Sequence, residues 1–275
     1  MVWWILALAG AGLTRLILPS LFAIWQQAGF LRPNFRGEQI PLGVGVFLPL
    51  VWLILLPGVV WLVPEQRDHG LQLLLAVTFL TLLGMLDDVL GSRRVSGLKG
   101  HLGSLFRGRM TTGALKAVMG GWLGLVLAWL EFQPRTGIGW IQTVLAGLMV
   151  ALSINAINLL DLRPGRAGKG FLLFGGLLVL LSGLAAAAGF WLVTAGMLVA
   201  YLPADLKARC MLGDTGANPL GGILGLSALW ALPAWGQLGW LLFLIGFHFL
   251  TEKYSLTELI ARTPWLDYID RWGRE

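Results

Sequence analysis

Cysteine and charge are the two things this sequence has least of. The single cysteine, Cys210, excludes an internal disulfide and a multi-cysteine zinc site. Charged residues make up 12% of the 275 positions, against about 25% in a soluble globular domain. Hydrophobic residues make up 57%, and the mean hydropathy is +0.77. A water-soluble fold has too little interior for that much apolar side chain, so the composition implies residence in a bilayer. An internal repeat and a low-complexity linker are missing too. So are a basic segment and a small-residue cleavage site ahead of the first apolar stretch, which is therefore expected to be a membrane span and not a removable signal. The simplest organisation is one transmembrane domain over 1–252 and an amphipathic tail over 253–275.

A helix needs about 20 apolar residues to cross the hydrocarbon core. Spans are expected at 2–26, 42–63, 70–88, 112–130, 138–160, 170–188, 189–204, 217–233 and 236–252, with the long run 170–204 divided at Gly189. The fold class is all-α and polytopic, with about nine transmembrane helices. The net charge of +6 would suit a nucleic-acid partner if it were clustered, but its distribution speaks for orientation in a membrane. All but three of the 20 Lys and Arg fall in the loops 27–41, 89–116, 161–169, 205–216 and 253–275. Arg67 and Arg135 lie on the other side, and Arg15 lies inside the first span. By the positive-inside rule the rich set is cytoplasmic, which puts the N-terminus outside and the C-terminus inside. The stretch Leu256–Trp272 spaces Leu259, Ile260, Trp265, Leu266, Ile269 and Trp272 in near-helical steps. It reads equally as a helix in the headgroup layer or as a tail packed on the loops.

The chemistry-bearing residues collect at the cytoplasmic ends of the spans. Asp87 and Asp88 close the third span. Paired carboxylates at a membrane boundary are costly, about 2.5–3.5 kcal/mol each on insertion scales, unless a cation neutralises them or they snorkel at the helix end. Asp161 closes the fifth span, three and six residues after Asn158 and Asn155, so all three share a helix face. The two asparagines suit either a ligand or helix–helix hydrogen bonding. Asp214 and Thr215 are bracketed by Gly213 and Gly216. Small residues there let backbone amides approach an anion, in front of a helix expected to start near Pro219. Three acidic clusters on one face suit hard oxygen ligation of Mg²⁺ beside a phosphate. Arg93, Arg94, Lys99, Arg107, Arg109 and Lys116 are candidates to hold phosphates, or serve only orientation and anionic-lipid contact.

Gly84-Met-Leu-Asp-Asp, Asn155-Ala-Ile-Asn-Leu-Leu-Asp161 and Met211-Leu-Gly-Asp-Thr-Gly-Ala, in this order, resemble the polyprenyl-phosphate N-acetylhexosamine-1-phosphate transferase superfamily. This is glycosyltransferase family 4, which includes phospho-MurNAc-pentapeptide translocase and undecaprenyl-phosphate GlcNAc-1-phosphate transferase. The loop from Asn34 to Gly45 looks like the family's Ile-Pro-x-x-Gly-Gly loop, and Lys116 looks like the lysine that opens the following helix. The resemblance implies transfer of a sugar-1-phosphate from a nucleotide sugar, UDP-linked in the family, to a polyprenyl phosphate. Mg²⁺ is the cofactor, and the product serves cell-envelope glycan synthesis such as peptidoglycan. It implies an inner-membrane location with the active site facing the cytoplasm. Carried over by position, Asp87, Asp88, Asp161 and Asp214 are the catalytic set, with Asp214 and Asp88 at the metal. Lys116, Asn155, Asn158, Arg163, Arg166, Gly213 and Thr215 are the substrate-binding set. A homodimer is compatible with this reading, and nucleic acid is not a partner.

The departures from the pattern are specific. Pro164 stands where the family continues with a second aspartate, and Met211 where it often has phenylalanine. An upstream asparagine is replaced in its neighbourhood only by Asp205, the His-rich motif of the last loop is absent, and His248 sits alone inside the ninth span. Two readings besides the enzyme stay open at this point. A catalytically inactive relative would bind polyprenyl (di)phosphate or an envelope-synthesis partner through Arg163, Arg166 and Lys169. A transporter would need ionisable groups at the midplane, where only Arg15 and His248 are found.

Overall fold

The computed structural model describes residues 1–91, 103–104, 107–108, 110–183 and 188–274. Arg93, Arg94, Lys99 and Arg109, expected among the phosphate-binding groups, lie outside the described residues. The long helices are α1 (Val2–Gln27), α2 (Phe47–Leu62), α3 (Arg67–Leu90), α4 (Thr112–Phe132), α5 (Gly137–Leu160), α6 (Arg166–Ser182), α7 (Ala188–Leu206), α8 (Asp214–Ala231) and α9 (Ala234–Lys253). Two short helices, α10 (Leu256–Arg262) and α11 (Pro264–Arg271), form the tail. Among the described residues seven segments, those containing α1 to α5, α7 and α9, are long and apolar enough to cross a membrane, so the chain is an all-α polytopic membrane protein. Helix is the expected state, because in lipid each backbone polar group must be satisfied within its own segment.

The helix α8 fails that hydropathy test for a structural reason. Every residue from Thr215 to Leu229 is buried by neighbouring helices, so none of its faces has to suit lipid. Glycine makes that enclosure possible. A Cβ on Gly221 or Gly225 would run into the α5 backbone around Val150–Ile154, so the two helices pack at the short range that small residues allow in membranes. The outward faces of the bundle carry Leu8, Leu16, Leu75, Leu180, Leu242 and Phe249, all exposed and all apolar.

Several boundaries differ from those expected, three of them at glycines or proline. Helix α6 ends at Ser182, and Gly183 caps it with a φ of 68°. Gly189 lies inside α7, where its missing side chain leaves room for the Trp3 ring. Helix α8 starts at Asp214, five residues before Pro219, which sits within the helix. The 27–41 loop contains an antiparallel pair, β1 (Leu31–Pro33) and β2 (Gln39–Pro41). Its turn is closed by Asn34, whose Oδ1 accepts from the backbone N–H groups of Arg36 and Glu38 at 2.8 and 3.0 Å, as asparagine does in tight turns.

Candidate active site

The C-terminal end of α3, the N-terminal part of α4, the C-terminal end of α5 and the N-terminus of α8 meet at one end of the bundle. The contact of α3 with α8 is set by Gly84. A methyl group at this position would overlap the Asp214 carbonyl. One turn further on, Asp88 reaches across to the start of α8. Its Oδ1 accepts from the Asp214 N–H at 3.1 Å, and its Oδ2 accepts from the Thr215 N–H at 3.0 Å and the Thr215 hydroxyl at 2.6 Å. A carboxylate at a helix N-terminus is favoured both by the unpaired N–H groups and by the positive end of the helix dipole.

This contact bears on two expectations. The amides of Asp214 and Thr215 meet an anion within the chain, Asp88. Thr215 presents both its N–H and its hydroxyl to Asp88, whereas the N–H of Gly213, whose φ is 69°, faces Asp161. Asp88, expected at the metal, has both oxygens engaged as the cap of α8.

The carboxylates that share a cation are Asp87 and Asp214. Lys116, on the second turn of α4, donates to Asp87 Oδ2 at 2.9 Å and to Asp214 Oδ2. The three side chains are only 15–20% exposed. Asn158 faces the same two groups: with its amide assigned the orientation that matches donor to acceptor, its nitrogen donates to Asp214 Oδ1 at 2.6 Å and its oxygen accepts from Lys116 at 3.3 Å. This cluster is drawn from four helices. Among the described residues no three His, Cys, Asp or Glu side chains group tightly enough to hold a metal by themselves. Mg²⁺ does not require three, because it commonly keeps several waters and takes one or two carboxylates plus phosphate oxygens. Asp87 and Asp214, already converging on one cation, fit that requirement.

Beside the cluster opens a cavity of about 580 Å³. Its walls include the turn of the β1–β2 hairpin (Asn34, Phe35), the 161–164 turn, Asp205, and the 210–214 segment. The hairpin is fastened to that segment by Met211 N–H donating to the Pro41 carbonyl at 2.8 Å and by Asn34 donating to the Ala208 carbonyl at 3.2 Å. Four carboxylates, Asp88, Asp161, Asp205 and Asp214, line the cavity together with the cation Arg163. Asp161 caps the end of α5. Burial pushes its carboxyl well above the usual range, and the Asp205, Asp214 and Asp88 carboxylates push the same way. Asp205 accepts from the Gly165 N–H at 2.9 Å. In the sequence it is only a stand-in for a missing asparagine, and nothing local marks it as a wall of the site.

Two expected substrate-binding residues are engaged elsewhere. Asn155 donates to His248 Nε2 at 2.9 Å, and His248 Nδ1 bonds the Leu244 carbonyl at 2.8 Å. This is an α5–α9 helix–helix hydrogen bond, with the histidine in the tautomer protonated at Nδ1. Arg166 is 5% exposed, and its guanidinium donates through Nε and Nη2 to the two oxygens of the Asp270 carboxylate of the tail. Arg163, which makes no ion pair among the described residues, remains at the cavity.

The sequence profile of the family described as Glycosyl transferase family 4 matches residues 71–232, more than half of the chain. That stretch contains Asp87, Asp88, Lys116, Asn158, Asp161 and Asp214 and stops short of α10 and α11. No curated protein matches the chain.

Proposed function

As a member of glycosyl transferase family 4, the polyprenyl-phosphate hexosamine-1-phosphate transferases, the chain is a membrane-embedded transferase of sugar phosphates, and we propose that it moves a sugar-1-phosphate from a UDP-linked sugar to a polyprenyl phosphate with Mg²⁺. The products are a polyprenyl-diphosphate sugar for envelope glycans and UMP. The observation that carries this reading is the meeting of Asp87, Asp214, Asn158 and Lys116 at the edge of a cavity large enough for a donor head group. The Lys and Arg distribution supports nine crossings, the N-terminus outside and this cavity facing the cytoplasm of the plasma membrane.

The lipid phosphate oxygen attacks the sugar-linked phosphorus, and the bond to the UMP oxygen breaks, so negative charge gathers on the transferring phosphoryl group. Bound Mg²⁺ supplies Lewis-acid stabilisation of that charge. Asp214 and Asp87 would hold it. Lys116 holds a phosphate oxygen within reach of the same carboxylates, and Arg163 meets the donor phosphates from the cavity wall. Such fixed charges act strongly because they need no reorganisation as the reaction proceeds. Asn158 keeps Asp214 and Lys116 in register. Asp88 takes no part in the chemistry directly and places Asp214 by holding the start of α8.

Purified protein with undecaprenyl phosphate, Mg²⁺ and a panel of UDP-sugars is expected to release UMP, and Asp214→Asn is expected not to. Failure with every donor would refute the transferase reading. A second reading, a catalytically silent relative that binds a polyprenyl (di)phosphate, is favoured by Pro164 at the cavity wall in place of an aspartate. Lipid binding that survives EDTA with no turnover would decide for it.

A further inference from the structure

The tail formed by α10 and α11 is amphipathic in sequence, yet its docking is polar. Between Leu256 and Trp272 only Ile260 and Asp270 are buried. The Asp270 carboxylate accepts four N–H bonds: from Arg166 Nε and Nη2 at 2.8 Å each, and from Arg274 Nη1 and Nη2 at 3.0 and 2.7 Å. Arg274 Nε also donates to the Pro164 carbonyl at 2.7 Å. Lys169 returns the contact by donating to the carbonyls of Ile269, Asp270 and Trp272 at 2.9, 2.9 and 2.6 Å. All these bonds converge on one short stretch, the 161–166 turn and the first turn of α6. Asp205 holds the same turn from its other side through the Gly165 N–H.

That turn lines the cavity from 161 to 164, and Asp161 and Arg163 are its charged members. Gly165, with φ of 74°, is its one left-handed position, so the turn owes its shape to what grips it from outside. We propose that Asp270 is a positioning residue. By clamping Arg166 and Arg274, it makes the C-terminal helices an outer brace that sets where Asp161 and Arg163 stand in the cavity. The bracing is a statement about the turn alone, and its kinetic consequence rests on the transferase reading above.

The test separates the two. Leu162, 62% exposed on the turn, and Leu181, 55% exposed at the far end of α6, are each replaced by cysteine in the full chain, where the native Cys210 is buried. Each cysteine carries a nitroxide, and the spectra are compared with and without Asp270→Asn. The expected result is a mobile label at 162 in Asp270→Asn, an unchanged label at 181, and partial return to the immobile spectrum in Asp270→Glu. On chains with Leu162 intact, Asp270→Asn is expected to raise KM for the nucleotide sugar about tenfold while changing kcat less, the pattern of lost ground-state positioning. An unchanged spectrum at 162, or equal loosening at 162 and 181, overturns the proposal. Should Asp270→Asn not yield monodisperse protein, Arg274→Gln takes its place, removing one guanidinium and the Pro164 contact, with the same outcomes read. If the parent chain turns over no donor, the transferase reading fails while the label comparison still decides the brace.

Discussion

Asp87 and Asp88 are adjacent in sequence, and the structure separates their roles by a measurable difference. Asp88 accepts three hydrogen bonds from the start of α8, at 3.1, 3.0 and 2.6 Å. Hydrogen bonds to a charged group contribute about 1.5–3 kcal/mol each, and a carboxylate at a helix N-terminus adds roughly 0.3–1 kcal/mol. In Asp88→Asn one oxygen remains to accept from Thr215, but an amide N–H faces the Asp214 N–H, so at least one bond is lost along with the charge. The expected loss of stability is about 2–4 kcal/mol. Asp87 accepts from Lys116 at 2.9 Å, and that ammonium retains Asp214 when Asp87 is neutralised. Asp87→Asn is therefore expected to cost only about 1 kcal/mol. Equilibrium unfolding in mixed micelles, followed by fluorescence of the 14 tryptophans, measures both. Mg²⁺ should stabilise Asp88→Asn and should have lost most of its effect on Asp87→Asn. Equal losses, or a larger loss in Asp87→Asn, would refute the division into a helix cap and a cation-binding carboxylate.

Three further expectations follow from the same geometry. Gly84→Ala puts a methyl group into the Asp214 carbonyl, so α3 and α8 must part, and turnover is expected to fall on the order of 100-fold, the cost of a misplacement of about 1 Å, as UMP release will show. Lys116→Met leaves two mostly buried carboxylates facing each other. The destabilisation is expected at about 3–5 kcal/mol, with substantial recovery in millimolar Mg²⁺, read by thermal unfolding with and without EDTA. The third concerns pH. Burial works to raise the Asp270 carboxyl, but the hydrogen bonds from Arg166 and Arg274 outweigh it and hold the group down at about 2, below its ordinary 3.8. Its contribution is therefore fully present above about pH 4 and is lost as pH falls through 2. The stability difference between the parent and Asp270→Asn is expected to be constant from pH 5 to 8 and to shrink below pH 4. A difference that changes between pH 5 and 8 would contradict the assignment.

Much of this protein is decided by composition and order along the chain. Apolar stretches of about span length must be helical in lipid because no water is present to satisfy the backbone, and helices α1, α3, α4, α5 and α9 follow those stretches within three residues. The collection of Asp87, Asp161 and Asp214 at one end follows from counting crossings between them. The identity of each polar group's partner is a different matter, because it depends on residues far away in sequence. Asp88 caps a helix 126 residues further on, Asn155 finds His248 at a separation of 93, and Arg166 finds Asp270 at 104. Each choice rests on how closely two backbones approach, as at Gly84 against Asp214. A pattern of hydropathy reports whether a residue faces lipid, protein or water. It carries no information about which of several nearby charges a carboxylate will meet, so the division between Asp87 and Asp88, the inward wall at Asp205 and the brace at Asp270 were decided by tertiary packing alone.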